Sequence, residues 1–290
     1  MPKYFCGLVS VDLMKTVLIP TDFSKNSWNA VEYAVSLFKD IPCNFYVLHV
    51  GRIDQSGVEG NSFTMPTERL DAPVKEKLSE LFKRIASITT NVQHNFIALQ
   101  EYGNLVNSIR NTVAEKKVDL IVMGTKGASG VQQAVVGSNT GDVITKVHCN
   151  LLVIPEKANP IRPKEIAFPT DFNILYSHLI LESISEMLHI SGANLRVINV
   201  SKPTGRLNRT QKQHKHYLED YLEELFSDSH SFQTITDEKV KNAIEGFAAR
   251  GNIDMVIMVA KNLNYLQQLL FDSTIEKLSF HTTVPLLVLH

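Results

Sequence analysis

Short, predominantly apolar runs recur along the chain, separated by stretches with one apolar face. In the first half the runs are TVLIP (16–20), FYVLHV (45–50), HNFIAL (94–99), VDLIVM (118–123) and LLVIP (151–155). Their length and hydrophobicity predict strands buried on both faces. Between them, apolar residues fall at helical spacing. Trp28, Val31, Ala34, Val35 and Phe38 follow Ser24, a candidate N-cap. Val74, Leu78, Leu81, Phe82 and Ile85 mark a second helix, Leu105, Ile109 and Val113 a third, and Val143, Ile144 and Val147 a fourth. The stretch 51–73 has little periodicity and carries Gly, Ser, Asp and Pro, which predicts a loop.

The pattern then starts again. VLIPTDFS at 17–24 matches IAFPTDFN at 166–173, FYVLHV matches LRVINV at 195–200, VDLIVMG at 118–124 matches IDMVIMV at 253–259, and NLLVIP at 150–155 matches PLLVLH at 285–290. Four blocks in one order are the mark of a duplicated domain. The divisions predicted are an N-terminal extension at 1–13, a first domain at 14–156 and a second at 163–290. The seam PEKANPIRPK (155–164), rich in Pro and charge, reads as a linker. Strands alternating with helices predict an α/β fold: two tandem doubly wound domains, each a five-stranded parallel sheet of order 3-2-1-4-5 with helices on both faces.

In that order the chain reverses direction between strands 1 and 4, and ligands bind there, beyond the carboxyl ends of the strands. Strand 1 leads into PTDFS and strand 4 into MGTKG, so Asp22 and a glycine series face one crevice. The series is Gly124, Gly127, Gly137 and then Ser138. Glycines let backbone N–H groups approach a phosphate chain where a Cβ would intervene. Ser138, just before the fourth helix, either donates to a phosphate or caps that helix, whose free N–H groups favour an anion. Lys126 adds a positive charge that is either a phosphate partner or simply solvated. The alternative is that the glycines only turn the chain.

Composition narrows the chemistry. Lys plus Arg number 29 against 30 Asp plus Glu, a formal net charge of −1, which leaves no electrostatic footprint for nucleic acid or an anionic membrane. Asp12 interrupts the apolar start, no leader cleavage site follows it, and no run is long enough to span a bilayer, so a cytoplasmic protein is expected. Cys6, Cys43 and Cys149 are far apart and fit neither a metal site nor a disulfide framework; reduced, mostly buried thiols are expected.

The glycine spacing after an apolar strand, together with PTDFS after strand 1 and LHV ending strand 2, resembles the universal stress protein family. The resemblance covers nearly the whole chain as a tandem pair. It implies a regulatory, ATP-binding stress protein, with a divalent cation such as Mg or Mn, whose nucleotide contacts fall on Pro20, Thr21, Asp22, Val50, Met123, Gly124, Gly127, Gly137, Ser138 and Asn139. It also implies dimerisation through the last strand, which here would pair NLLVIP with PLLVLH inside one chain as a pseudo-dimer, with a further homodimer possible. The second half departs from the pattern: Val259, Asn262 and Asp272 stand at the glycine positions, and only Ser273 and the PTDF around Asp171 are kept. Side chains and a carboxylate in a phosphate cradle predict that this half does not bind ATP in the same manner.

No catalytic or metal-ligating set stands out. P-loop, dinucleotide GxGxxG, kinase and GxSxG signatures are all missing from the sequence. His49 reads as a hydrogen-bonded core residue, and EKKVD (115–119) as a solvated helix end. Three readings remain: a nucleotide-responsive regulator with slow or no hydrolysis, a nucleotide-independent interaction scaffold, and a weak ATPase.

Overall fold

The computed structural model describes residues 14–51, 72–88, 91–125, 138–201, 205–237, 240–250, 253–262 and 284–290. The extension 1–13 with Cys6, most of the loop expected at 51–73, and Lys126, Gly127, Gly137, Asp272 and Ser273 lie outside them. The first half runs β1 (Lys15–Pro20), α1 (Lys25–Leu37), β2 (Cys43–Gly51), α2 (Ala72–Ile88), β3 (His94–Tyr102), α3 (Leu105–Lys116), β4 (Leu120–Gly124), α4 (Ser138–Lys146) and β5 (Asn150–Ile154). The second runs β6 (Glu165–Pro169), α5 (His178–Ser191), β7 (Asn194–Ser201), α6 (Arg209–Phe226), β8 (His230–Thr236), α7 (Val240–Arg250), β9 (Met255–Val259) and β10 (Leu286–Leu289).

All ten described strands join one sheet, in the order β3-β2-β1-β4-β5-β10-β9-β6-β7-β8. Read from either end to the middle, each half is the expected 3-2-1-4-5. Every pairing is parallel except the central one, where β5 meets β10 antiparallel. Its register is Leu286 with Val153, Leu287 with Leu152 and Val288 with Leu151. Leu152 and Leu287 occupy equivalent positions in the two repeats, so the contact is self-complementary, as across a two-fold axis.

Alternating strand residues feed two apolar layers. Val17, Ile19, Phe45, Val122, Phe168 and Ile257 face the side covered by α1, α2, α5 and α6, whereas Leu18, Leu48, Ile121, Met123, Val256 and Val288 face α3, α4 and α7. The helices start where side chains satisfy orphan N–H groups. Ser24 accepts from Ser27 N–H and Asn104 from Asn107 N–H, and Asn208 forms a reciprocal capping box with Gln211.

Two expectations change in detail. The seam at 155–164 is no free tether: Asn29 Nδ2 donates to Pro155 O (2.8 Å) and Ala158 O (3.2 Å), and Arg162 bonds Leu37 O and the Asp40 carboxylate. Asp119, expected to be merely solvated, accepts Thr16 N–H at 2.8 Å, and its counterpart Asp254 accepts Lys164 and Glu165 N–H. Each aspartate thereby holds the first strand of its repeat against the fourth. Cys43 and Cys149 are buried free thiols, both pushed up to about 12 by burial.

Candidate functional site

At the end of β1 the chain leaves the sheet through Thr21, whose N–H still donates to Leu48 O (2.8 Å). The buried Thr21 Oγ1 accepts Phe23 N–H (3.0 Å) and shares a hydrogen bond with Ser27 Oγ (3.1 Å). Asp22 Oδ1 accepts Ser24 N–H (3.0 Å). These local bonds close a tight turn that holds Phe23 at φ 63°. A left-handed phenylalanine costs of order 1–3 kcal/mol. The turn aims Ser24 at the start of α1, and the Phe23 ring lies 4.7 Å from that of His49. His49 Nδ1 is 2.9 Å from Thr21 O and must donate to it, since a carbonyl only accepts. His49 thus pins the turn.

The end of β4 meets this turn through α1. A Cβ on Gly124 would lie 2.8 Å from Asn26 Nδ2, 2.9 Å from its Cγ and 3.0 Å from its carbonyl O. Gly124 is therefore required for the first turn of α1 to close on β4, a role independent of any ligand. Asn26 Nδ2 in turn donates to Thr125 Oγ1 (3.3 Å). Thr140, on the first turn of α4, donates its hydroxyl to Gly124 O (3.0 Å). That bond sets the α4 N-terminus at the end of β4, with Ser138 and Asn139 exposed. Met123 and Val50 pack into the apolar layer on the α3 and α4 side, and Pro20 is buried at the end of β1. Eight of the ten residues expected at the crevice lie in the described part, on the carboxyl ends of β1, β2 and β4 and on the first turn of α4. Among the described residues no group of three His, Cys, Asp or Glu side chains is arranged to hold a metal.

The second repeat keeps the turn and closes it. Phe172 sits at φ 58°, Thr170 Oγ1 accepts Phe172 N–H, and Asn199 takes the place of His49, donating to Thr170 O (3.0 Å). Tyr176 replaces Ser27: its ring is buried and its hydroxyl meets Thr170 Oγ1 at 2.7 Å. Both Asp171 oxygens are taken by Asn173, one by its backbone and one by its side chain. From α6, Gln211 Nε2 donates to Asp171 O (2.8 Å) and His214 Nδ1 to Phe172 O (2.9 Å). At the glycine position stands Val259, 2% exposed, and α5 begins at His178, one turn later than the position matching the start of α1. A β-carbon at this point would meet a first turn placed like that of α1, and α5 lacks that turn.

The model of the universal stress protein family matches residues 14–155 and, a second time, residues 163–290. The chain belongs to the universal stress protein family. Among its curated relatives, universal stress protein MJ0531 of Methanocaldococcus jannaschii is 30% identical over 143 residues, covering 49% of this chain and 83% of the relative. Universal stress protein YxiE of Bacillus subtilis is 26% identical over 148 residues, covering 49% and 99%. A universal stress protein structure from Archaeoglobus fulgidus superposes over 94% of this chain and 95% of its own, with a TM-score of 0.64 at 19% identity, a likeness of fold. The tandem arrangement of universal stress protein repeats is thus seen in sequence and in fold.

Asn26, Thr125 and Thr140 were not among the site residues expected from sequence, yet they join β4 to α1 and α4. A signal was available for Asn26: it is four residues before Ala30 and shares its buried stripe, where a polar side chain needs a partner.

Proposed function

We propose that the first repeat binds an adenine nucleotide, ATP with a divalent cation before others, and that the protein is a nucleotide-responsive regulator in the stress response with slow or no hydrolysis. The observation that carries this reading is the asymmetry between the two turns. In the first repeat, the α4 N-terminus stands at the end of β4 with Ser138 and Asn139 exposed. Helix N–H groups and the dipole suit a phosphate there. In the second, Tyr176 takes up the Thr170 hydroxyl, and Gln211 and His214 take up the Asp171 and Phe172 carbonyls. Thr21, Asp22 and Val50 would border the nucleoside, with Pro20 and Met123 behind them, and Gly124, Gly127, Gly137, Ser138 and Asn139 would hold ribose and phosphates. A divalent cation bound with the nucleotide would be held in part by the phosphate oxygens. The second repeat supplies fold and surface. No described helix is long and apolar enough to cross a membrane.

Calorimetric titration of the nucleotide-stripped chain with Mg-ATP tests this reading. About one site per chain is expected, lost in Gly127→Asn and Gly137→Asp, which copy the second repeat. Gly124→Val is unsuitable because it strikes Asn26 whether or not nucleotide binds. Absence of binding would leave the scaffold reading. Steady ATP turnover abolished by Asp22→Ala, with binding retained, would make the protein an ATPase.

A further inference from the structure

The β5 and β10 edges are spent on each other, so any further self-association needs a different surface. Helix α6 presents one. Its inner side buries Leu218 and Leu222, and its outer side exposes Arg209, Lys212, Gln213, His216, Asp220 and Glu223. Arg209 and Glu223 lie seven residues either side of His216, and Lys212 and Asp220 lie four either side. Both spacings return to the helix stripe that carries His216. The stripe is thus basic at its start, acidic at its end, and antisymmetric in charge about its middle.

This order runs against the helix dipole, which favours acids in the first turn and bases in the last. Helix α6 has neither. Within the chain, His216 pairs with Asp220 (3.5 Å) and His230 with Glu223 (3.6 Å), while the half-buried Lys215 pairs with Glu219 (3.1 Å) and lies over the Phe232 ring. Each pair includes a solvent-accessible acid and contributes little. These pairs do not explain the order of charges along the stripe.

We propose that α6 is a self-association surface, on which a second copy of this chain lays its own α6 antiparallel with the two-fold axis at His216. Arg209 then faces Glu223 of the other copy, and Lys212 faces Asp220, each pair occurring twice. A partner of one charge sign would be attracted at one end and repelled at the other, which disfavours nucleic acid and anionic lipid. The exposed Tyr217, beside the axis, supplies apolar contact. With charges predominating, the dimer is weak and sensitive to salt, since the screening length falls from about 10 Å at 0.1 M salt to about 3 Å at 1 M.

Sedimentation equilibrium of the full chain at low and high salt tests the surface, with Lys212→Glu and Asp220→Lys. Each reversal enters the interface twice, so each variant alone should weaken the dimer about tenfold or more. An equimolar mixture of the two should associate again, because every opposed pair in the mixed dimer is of opposite sign. Both positions are exposed, so neither reversal should change stability by more than about 0.5 kcal/mol, and the melting temperature should stay close to that of the parent chain. The proposal is overturned by a chain that stays monomeric at low salt up to about 1 mM, by a dimer indifferent to both reversals, or by a mixture that fails to associate.

Discussion

Placing a methyl group on Gly124 tests the packing of β4 on α1 apart from any ligand. The added Cβ would sit 2.8, 2.9 and 3.0 Å from Asn26 Nδ2, Cγ and O, all inside ordinary contact distance. The Asn26 side chain is buried and tied to Thr125, and its carbonyl belongs to the first turn of α1, so neither yields freely. Overpacking of this kind costs about 1–3 kcal/mol. Gly124 has no left-handed φ, so an alanine also restricts the unfolded chain and returns about 0.4–1 kcal/mol. The net expectation for Gly124→Ala is a loss of about 1–2 kcal/mol, or roughly 2–8 °C in melting temperature, with a larger loss for Gly124→Val. The single tryptophan, Trp28, lies on α1, so urea unfolding followed by its fluorescence reads the relevant element. Asn26→Ala removes two of the three close contacts, and in that background Gly124→Ala should cost half as much or less. Unchanged stability of Gly124→Ala in the parent chain would refute the packing argument and return this glycine to the ligand.

Two further outcomes are expected. Tyr176→Phe deprives Thr170 Oγ1 of a buried partner and should cost about 1–2 kcal/mol, whereas Tyr176→Ser, the first repeat's residue, opens a cavity and should cost about 3–5 kcal/mol; equal effects in urea titrations would contradict the filled-crevice account. His290, whose N–H donates to Asn150 beside the central strand pair, is held below its ordinary pKa of 6.5 by burial and then by the His148 ring, 5.8 Å away. The unfolded chain then takes up that proton more readily than the folded one, so this group lowers stability as pH falls below 6.5. The His290→Leu variant should show a flatter stability profile between pH 7 and 5, and an unchanged slope would remove His290 as the cause.

The strands were legible because a parallel sheet covered on both sides leaves little polar alternation to confuse them, and the repeat gave four of the five runs a second copy. Ser24 was legible as a cap because capping is local. The role of Gly124 was not, since its constraint comes from Asn26, 98 residues earlier in the chain. The swap of Ser27 for Tyr176 could be aligned but not interpreted until the ring was seen filling space beside Thr170. Gln211 and His214 carry no local signal of their role; only the docking of α6 shows them bonded to the Asp171 and Phe172 carbonyls. Positive φ at Phe23 and Phe172 likewise follows from a turn whose bonds are made by Thr and Asp side chains, in defiance of residue preference.

The self-complementary register at the centre of the sheet also bears on how two unlike repeats came to share one chain. Were the repeats separate identical subunits, any substitution would appear on both sides of the axis at once, and a residue that closed one crevice would close the other. Joined covalently, each half accumulates changes by itself, while its partner is always present in equal number and at an effective concentration that dilution does not touch. Val259 and Tyr176 could thus enter one half and leave the other with Gly124 and Ser27.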